Sequence, residues 1–204
     1  MRPLIDERFH EAPGRAEARR ELSLAPGLPV VLVSGGGWGL GDLAGATDTA
    51  LAAVPDAMVL CLAGRSERAR ANLEARYNGN QRTRVLGFSG QMPELLAASD
   101  VLMHTTGGTT AIEARVVGCP LINYGTAVAH VRAHARALAE QGIAQWAPDR
   151  HTLGPAIQRA LADGRPEPLA SSGLPDAADL VTQLARPANH RAAAASASAA
   201  GPGS

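Results

Sequence analysis

The chain has 204 residues, enough for one good-sized core and, by default, one domain. Nineteen basic and nineteen acidic side chains give a formal net charge of zero, so the overall field offers no reason to expect nucleic acid or an anionic membrane as partner. Only two Phe, two Tyr and two Trp are present, so the core must be built from Ala, Leu and Val; the two cysteines lack CxxC spacing, suggest neither zinc nor a disulfide framework, and fit a reducing compartment.

In chain order, residues 6–24 are charged and predict a short helix ahead of the first strand. Strands are predicted at 30–34, 57–63, 84–88, 101–104, 121–124 and 144–146, each a near-continuous apolar run of the kind buried on both faces of a parallel sheet. Helices are predicted at 43–54, 67–78, 92–98, 110–117, 131–141 and 153–162. Asp42 can cap the first of these and Pro55 closes it, while Gly118-Cys119-Pro120 ends the one after the fourth strand. This order predicts an α/β fold with a single Rossmann-like, doubly wound parallel sheet. Residues 1–26 read as a linker or N-terminal extension, 27–163 as the folded domain, and 164–204 as a Pro/Ala/Ser-rich tail, largely disordered. The N-terminus lacks an apolar run of signal length, and no uninterrupted apolar stretch approaches the roughly 20 residues that span a bilayer, so a soluble, cytoplasmic chain is expected.

Two glycine-rich turns follow apolar strands. The first is Ser34-Gly35-Gly36-Gly37-Trp38-Gly39-Leu40-Gly41; the second is Thr105-Thr106-Gly107-Gly108-Thr109-Thr110 and runs into Ala111-Ile112-Glu113. Glycine admits close approach of a ligand to the backbone, and a helix start presents N–H groups and a positive dipole end, so two such turns can hold one diphosphate. The first turn does not fit a dinucleotide fingerprint, because Leu40 stands at the third glycine position and Arg65 replaces an acid at the end of the second strand; without lysine a Walker loop is excluded. Thr109 and Thr110 can cap the helix and offer hydroxyls to a phosphate. Glu113 either meets a sugar hydroxyl or merely offsets the helix dipole. Arg65 either neutralises a phosphate or is solvated, and Phe88 with Ser89 either meets a base or, for Phe88, joins the core. His130 and His134 are four apart, but no HExxH motif or third ligand supports a metal, and no G-x-S-x-G elbow supports covalent hydrolysis.

The runs 31–39, 85–101 (Val-Leu-Gly-Phe-Ser-Gly-Gln-Met-Pro-Glu-Leu-Leu-Ala-Ala-Ser-Asp-Val), 107–114 and 118–122 resemble, in order and spacing, the donor-binding C-terminal half of GT-B glycosyltransferases. The group is that of the bacterial UDP-GlcNAc transferase of lipid II synthesis and the monogalactosyldiacylglycerol synthases, and the resemblance covers residues 27–146. It implies a UDP-sugar-binding domain of a hexosyltransferase, inverting and metal-independent, without a cofactor. Gly35, Gly36, Gly37, Trp38 and Gly39 would line the diphosphate and the interdomain cleft. Phe88 and Ser89 would contact uracil, and Gly107, Gly108, Thr109 and Thr110 would face the phosphates. Glu113 would bind the ribose, and Arg65 would help hold the departing UDP. His130 falls where the family reads the donor sugar, beside Val131, which cannot hydrogen-bond one; His134 falls where asparagine is common. His104 lies one position before Thr105, where related families place a phosphate-facing histidine. The chain begins near the family's interdomain linker, so the acceptor domain and its catalytic base are expected on a separate, membrane-associated partner of a split enzyme. The alternatives are a non-catalytic nucleotide-sugar-binding module and a truncated, inactive remnant.

Overall fold

The computed structural model describes residues 5–106, 108–125, 129–169, 181, 182 and 184. Residues 5–170 form one compact unit; Val181, Thr182 and Leu184 are helical and belong to a second. Within the first, six strands form one parallel sheet: β1 (Val30–Ser34), β2 (Met58–Leu62), β3 (Thr83–Leu86), β4 (Val101–His104), β5 (Leu121–Tyr124) and β6 (Gln145–Ala147). Their order is β3-β2-β1-β4-β5-β6, so the winding reverses between β1 and β4. In such sheets the crevice beyond the carboxyl ends of the strands at the reversal is where ligands bind.

Side chains alternate across each strand, and the core divides accordingly. Val31, Val33, Val59, Cys61, Val101 and Met103 face one layer, built by α2 (Leu43–Ala53), α3 (Glu67–Arg76) and α7 (Arg150–Asp163). Val30, Leu32, Leu60, Leu62 and Leu102 face the other, built by α1 (Arg15–Glu21), α4 (Met92–Ala98) and α5 (Thr109–Val117). Every residue of β1 is buried, including its terminal Ser34, the outcome expected of a near-continuous apolar run covered on both faces. The remaining helix, α6 (Ala129–Glu140), leads into β6.

The bounds of β1, β4, β5 and α4 are those the sequence predicts, and β2 is one residue shorter at each end. β3 stops at Leu86, which leaves Phe88 in the loop beyond it. α7 starts three residues before its predicted start, because Asp149 and Thr152 form a reciprocal capping box and Pro155 is accommodated inside the helix. The charged N-terminal stretch divides into a 3-10 turn (Glu7–Phe9) and α1, and Phe9, Ala18 and Leu24 join the core. The segment after α7 also packs onto the domain. Arg165 donates to the carbonyls of Leu96 (3.1 Å), Val117 (3.0 Å) and Ser99, and Arg115 donates to that of Glu167 (2.6 Å). Most of the expected disordered tail lies outside the described residues. Among the described residues no helix is long and apolar enough to cross a membrane.

Candidate functional site

The carboxyl ends of β1, β2 and β4 meet at the first glycine turn, and several of its glycines are required by that meeting. A Cβ on Gly39 (φ 63°) would lie 2.0 Å from the Ala63 carbonyl oxygen, and one on Gly35 would lie 2.6 Å from the Gly39 carbonyl carbon. Across the same junction, a Cβ on Gly64 would lie 2.6 Å from the Gly36 oxygen. Gly39 and Gly64 let the chain beyond β1 and β2 pack backbone to backbone, and Gly35 lets the turn close on itself. Gly36 and Gly37 differ: both border a cleft of about 280 Å³ beside the turn. A Cβ on Gly37 would meet only the Arg65 Nη1, at 3.3 Å.

The opposite wall is the start of α5. Gly108 (φ 95°) is its N-cap, and Thr109, Thr110 and Glu113 line the cleft. The first-turn amides of a helix lack intrahelical acceptors, and the dipole makes this end positive. Glu113 is half-buried. Loss of solvent raises its pKa; hydrogen bonds from Thr110 and Thr109 oppose that shift, and the charge of Asp6 adds to it. The third wall is Phe88, Ser89 and Met92, with Phe9 closing the cleft from the N-terminal turn. Phe88 is 56% exposed, so the core alternative does not apply. The Arg65 guanidinium lies 3.6 Å above the Phe88 ring, while its backbone N–H donates to the Gly37 carbonyl (2.8 Å). Arg65 thus ties the glycine turn to the aromatic wall.

The structure therefore brings together Gly36, Gly37, Phe88, Ser89, Thr109, Thr110 and Glu113 around one space, with Arg65 bridging two of its walls. Gly35 and Gly39 sit behind that space as packing positions, and Trp38 is 69% exposed on the turn. Gly107 lies outside the described residues. His104 is fully buried, and its Nε2 is 3.1 Å from the Thr106 Oγ1. A Cβ on Gly36 would come within 2.8 Å of that same hydroxyl, so His104 reaches the turn through Thr106. His130 and His134 are exposed on α6 and do not line the cleft. The sequence reading missed Phe9, Ser34, Leu62, Gly64 and Met92 as lining residues. Ser34 ends β1 at the reversal and could have been found from that alone; Gly64 lies two residues beyond β2, and Phe9 carries no local signal. Among the described residues no group of three or more His, Cys, Asp or Glu is placed to hold a metal ion.

A six-stranded parallel sheet with a cleft at its winding reversal is a Rossmann-like α/β fold, and this one matches the C-terminal half of a GT-B glycosyltransferase fold. Residues 30–186 match the glycosyltransferase family 28 C-terminal domain, and the chain belongs to that family. It is 27% identical over 119 residues to a processive diacylglycerol beta-glucosyltransferase of Staphylococcus epidermidis, covering 58% of this chain and 30% of that protein. It is 33% identical over 121 residues to monogalactosyldiacylglycerol synthase 1 of Arabidopsis thaliana, covering 54% of this chain and 22% of that one. The chain therefore spans less than a third of the length of either curated relative. Among solved structures, WaaG, a glycosyltransferase involved in lipopolysaccharide biosynthesis, superposes with a TM-score of 0.60 at 17% identity, over 79% of this chain and 46% of the other.

Proposed function

We propose that the cleft holds the UDP part of a UDP-sugar and that the domain is the donor side of a metal-independent, inverting hexosyltransferase. The observation that carries this reading is one space with three chemically different walls, matched to the three parts of a nucleoside diphosphate. The α5 N-terminus, with Gly36 and Gly37, suits the diphosphate. Glu113 suits the ribose: it stands four residues after Thr109, about 6 Å along the helix axis. Phe88, Ser89 and Met92 suit the uracil.

In the reaction an acceptor hydroxyl attacks the anomeric carbon, the bond from that carbon to the diphosphate oxygen breaks, and UDP leaves with the electron pair. The α5 N-terminus and Arg65 stabilise the charge that grows on the leaving diphosphate. The hydroxyl proton passes to a base, which we assign to an acceptor domain on a partner. His130 and His134 are assigned to the donor-sugar side, and His104 to the phosphates through Thr106. The two relatives' names, both of hexosyl transferases that make glycosyldiacylglycerols, support a lipid acceptor. We assign the protein to the cytoplasm, peripheral to the membrane through its partner.

Calorimetry with UDP tests the site, and a transfer assay with and without a candidate acceptor-domain partner tests the activity. UDP binding with transfer restored by the partner is the expected result. Absence of measurable UDP association overturns the site reading, and binding without transfer in any pairing favours the non-catalytic module.

A further inference from the structure

The N-terminal turn reaches the cleft from a distant part of the chain, and its contacts are specific. The Arg8 Nη1 donates to the Gly90 carbonyl (3.2 Å), in the loop that carries Phe88 and Ser89. Asp6 fixes the orientation of that guanidinium: its carboxylate accepts from the Arg8 Nη2 (2.9 Å), Nε (3.2 Å) and backbone N–H (3.0 Å). The turn also packs against α5, and Phe9, 7% exposed within the core, forms the cleft wall shared with Glu113 and Met92.

We propose that Asp6–Phe9 is a positioning strap that sets the width of the base end of the cleft, so that it takes a pyrimidine in preference to a purine. The inference rests on the UDP reading above. One side of the base end is Phe9, which cannot recede because it is packed into the core. The other side is the Phe88–Gly90 loop, and Arg8 ties that loop to the turn that carries Phe9. The space is about 280 Å³, small among ligand sites, so a second fused ring must be accommodated by moving the loop. Releasing Arg8 therefore loosens grip on the base and relaxes discrimination by ring size. It leaves the phosphate wall on α5 untouched.

The test compares the wild-type chain with Arg8→Ala and Arg8→Lys for affinity toward UDP, ADP and inorganic pyrophosphate. Arg8 is 63% exposed, so its removal leaves the core intact. Arg8→Ala is expected to weaken UDP binding by about three- to tenfold, the upper figure being reached if the whole energy of that hydrogen bond goes into pre-organising the loop, with pyrophosphate affinity unchanged and the UDP-over-ADP preference narrowed. Arg8→Lys, which keeps one donor, should recover part of the loss. Unchanged UDP affinity in Arg8→Ala, or equal losses for UDP and pyrophosphate, overturns the strap. If Glu113→Ala weakens UDP while Arg8→Ala does not, the site reading stands and the strap alone falls. A wild-type chain that binds no UDP overturns both.

Discussion

On the proposed reading, Glu113 contributes in opposite senses to ligand binding and to folding, and a single substitution separates them. If its carboxylate accepts two ribose hydroxyls, Glu113→Ala removes two hydrogen bonds to a charged group. At about 1.5–3 kcal/mol each, and allowing for incomplete additivity, the loss is about 2–4 kcal/mol. That corresponds to roughly 30- to 700-fold in Kd for UDP. Glu113→Gln keeps one acceptor in the same shape and should cost about tenfold. The folding effect runs the other way. Burial raises the folded-state pKa of Glu113, so the wild-type chain is favoured while this group is protonated and loses stability as pH rises through that folded-state value. Glu113→Gln removes the buried charge and should melt at or above the wild-type temperature at pH 7. The difference should vanish in acid, below the ordinary glutamate range, where the wild-type carboxyl is itself neutral. Calorimetric titration with UDP and thermal melts at two pH values measure both effects. UDP affinity within twofold of wild type, or a fall in affinity accompanied by an equal loss of stability in Glu113→Gln, would refute the reasoning.

Gly39→Ala combines left-handed backbone with a Cβ 2.0 Å from a carbonyl oxygen that cannot move aside, and should cost more than about 4 kcal/mol in urea unfolding. Gly108→Ala meets nothing among the described residues but would hold alanine at φ 95°, ψ −155°, a conformation kept almost wholly for glycine, and should cost about 1–3 kcal/mol. At Asp42, burial pushes the carboxyl up, but Arg150, the Gly45 N–H (2.9 Å) and the Tyr124 hydroxyl (3.0 Å) together hold it below the usual range. Its stabilisation is therefore present above the ordinary aspartate pKa and lost as pH falls through the lowered one; Asp42→Ala should cost about 1–2 kcal/mol at pH 7, mostly the helix cap, since the exposed ion pair adds little. Burial pushes the thiol of Cys61 up to about 11 and that of Cys119 up to about 12, so neither should react with a thiol reagent at pH 8 until the chain unfolds, as the labelling rate will show.

The sequence by itself determined the α/β class, the bounds of β1, β4 and β5, and the two turns that border the cleft, because each is written locally. A run such as Val30–Ser34, apolar up to its final serine, reads as buried on both sides, and Gly108-Thr109-Thr110 reads as a helix start, although the N-cap is Gly108 and the expected threonine cap does not form. Glu113 could be placed near the mouth for the same reason: helical spacing from Thr109 is a local quantity. Tertiary structure alone decided which glycines serve packing and which leave room for a ligand. That choice depends on what a side chain would strike, and for Gly39 this is Ala63, just beyond β2, whereas for Gly108 it is nothing among the described residues. Tertiary structure also set the core burial of His104 apart from the exposure of His130 and His134, and seated Arg65 on Phe88. It brought Arg8 and Phe9 to a site whose other residues lie far along the chain, since contacts between distant segments arise from how helices pack on the sheet, and no local spacing encodes them.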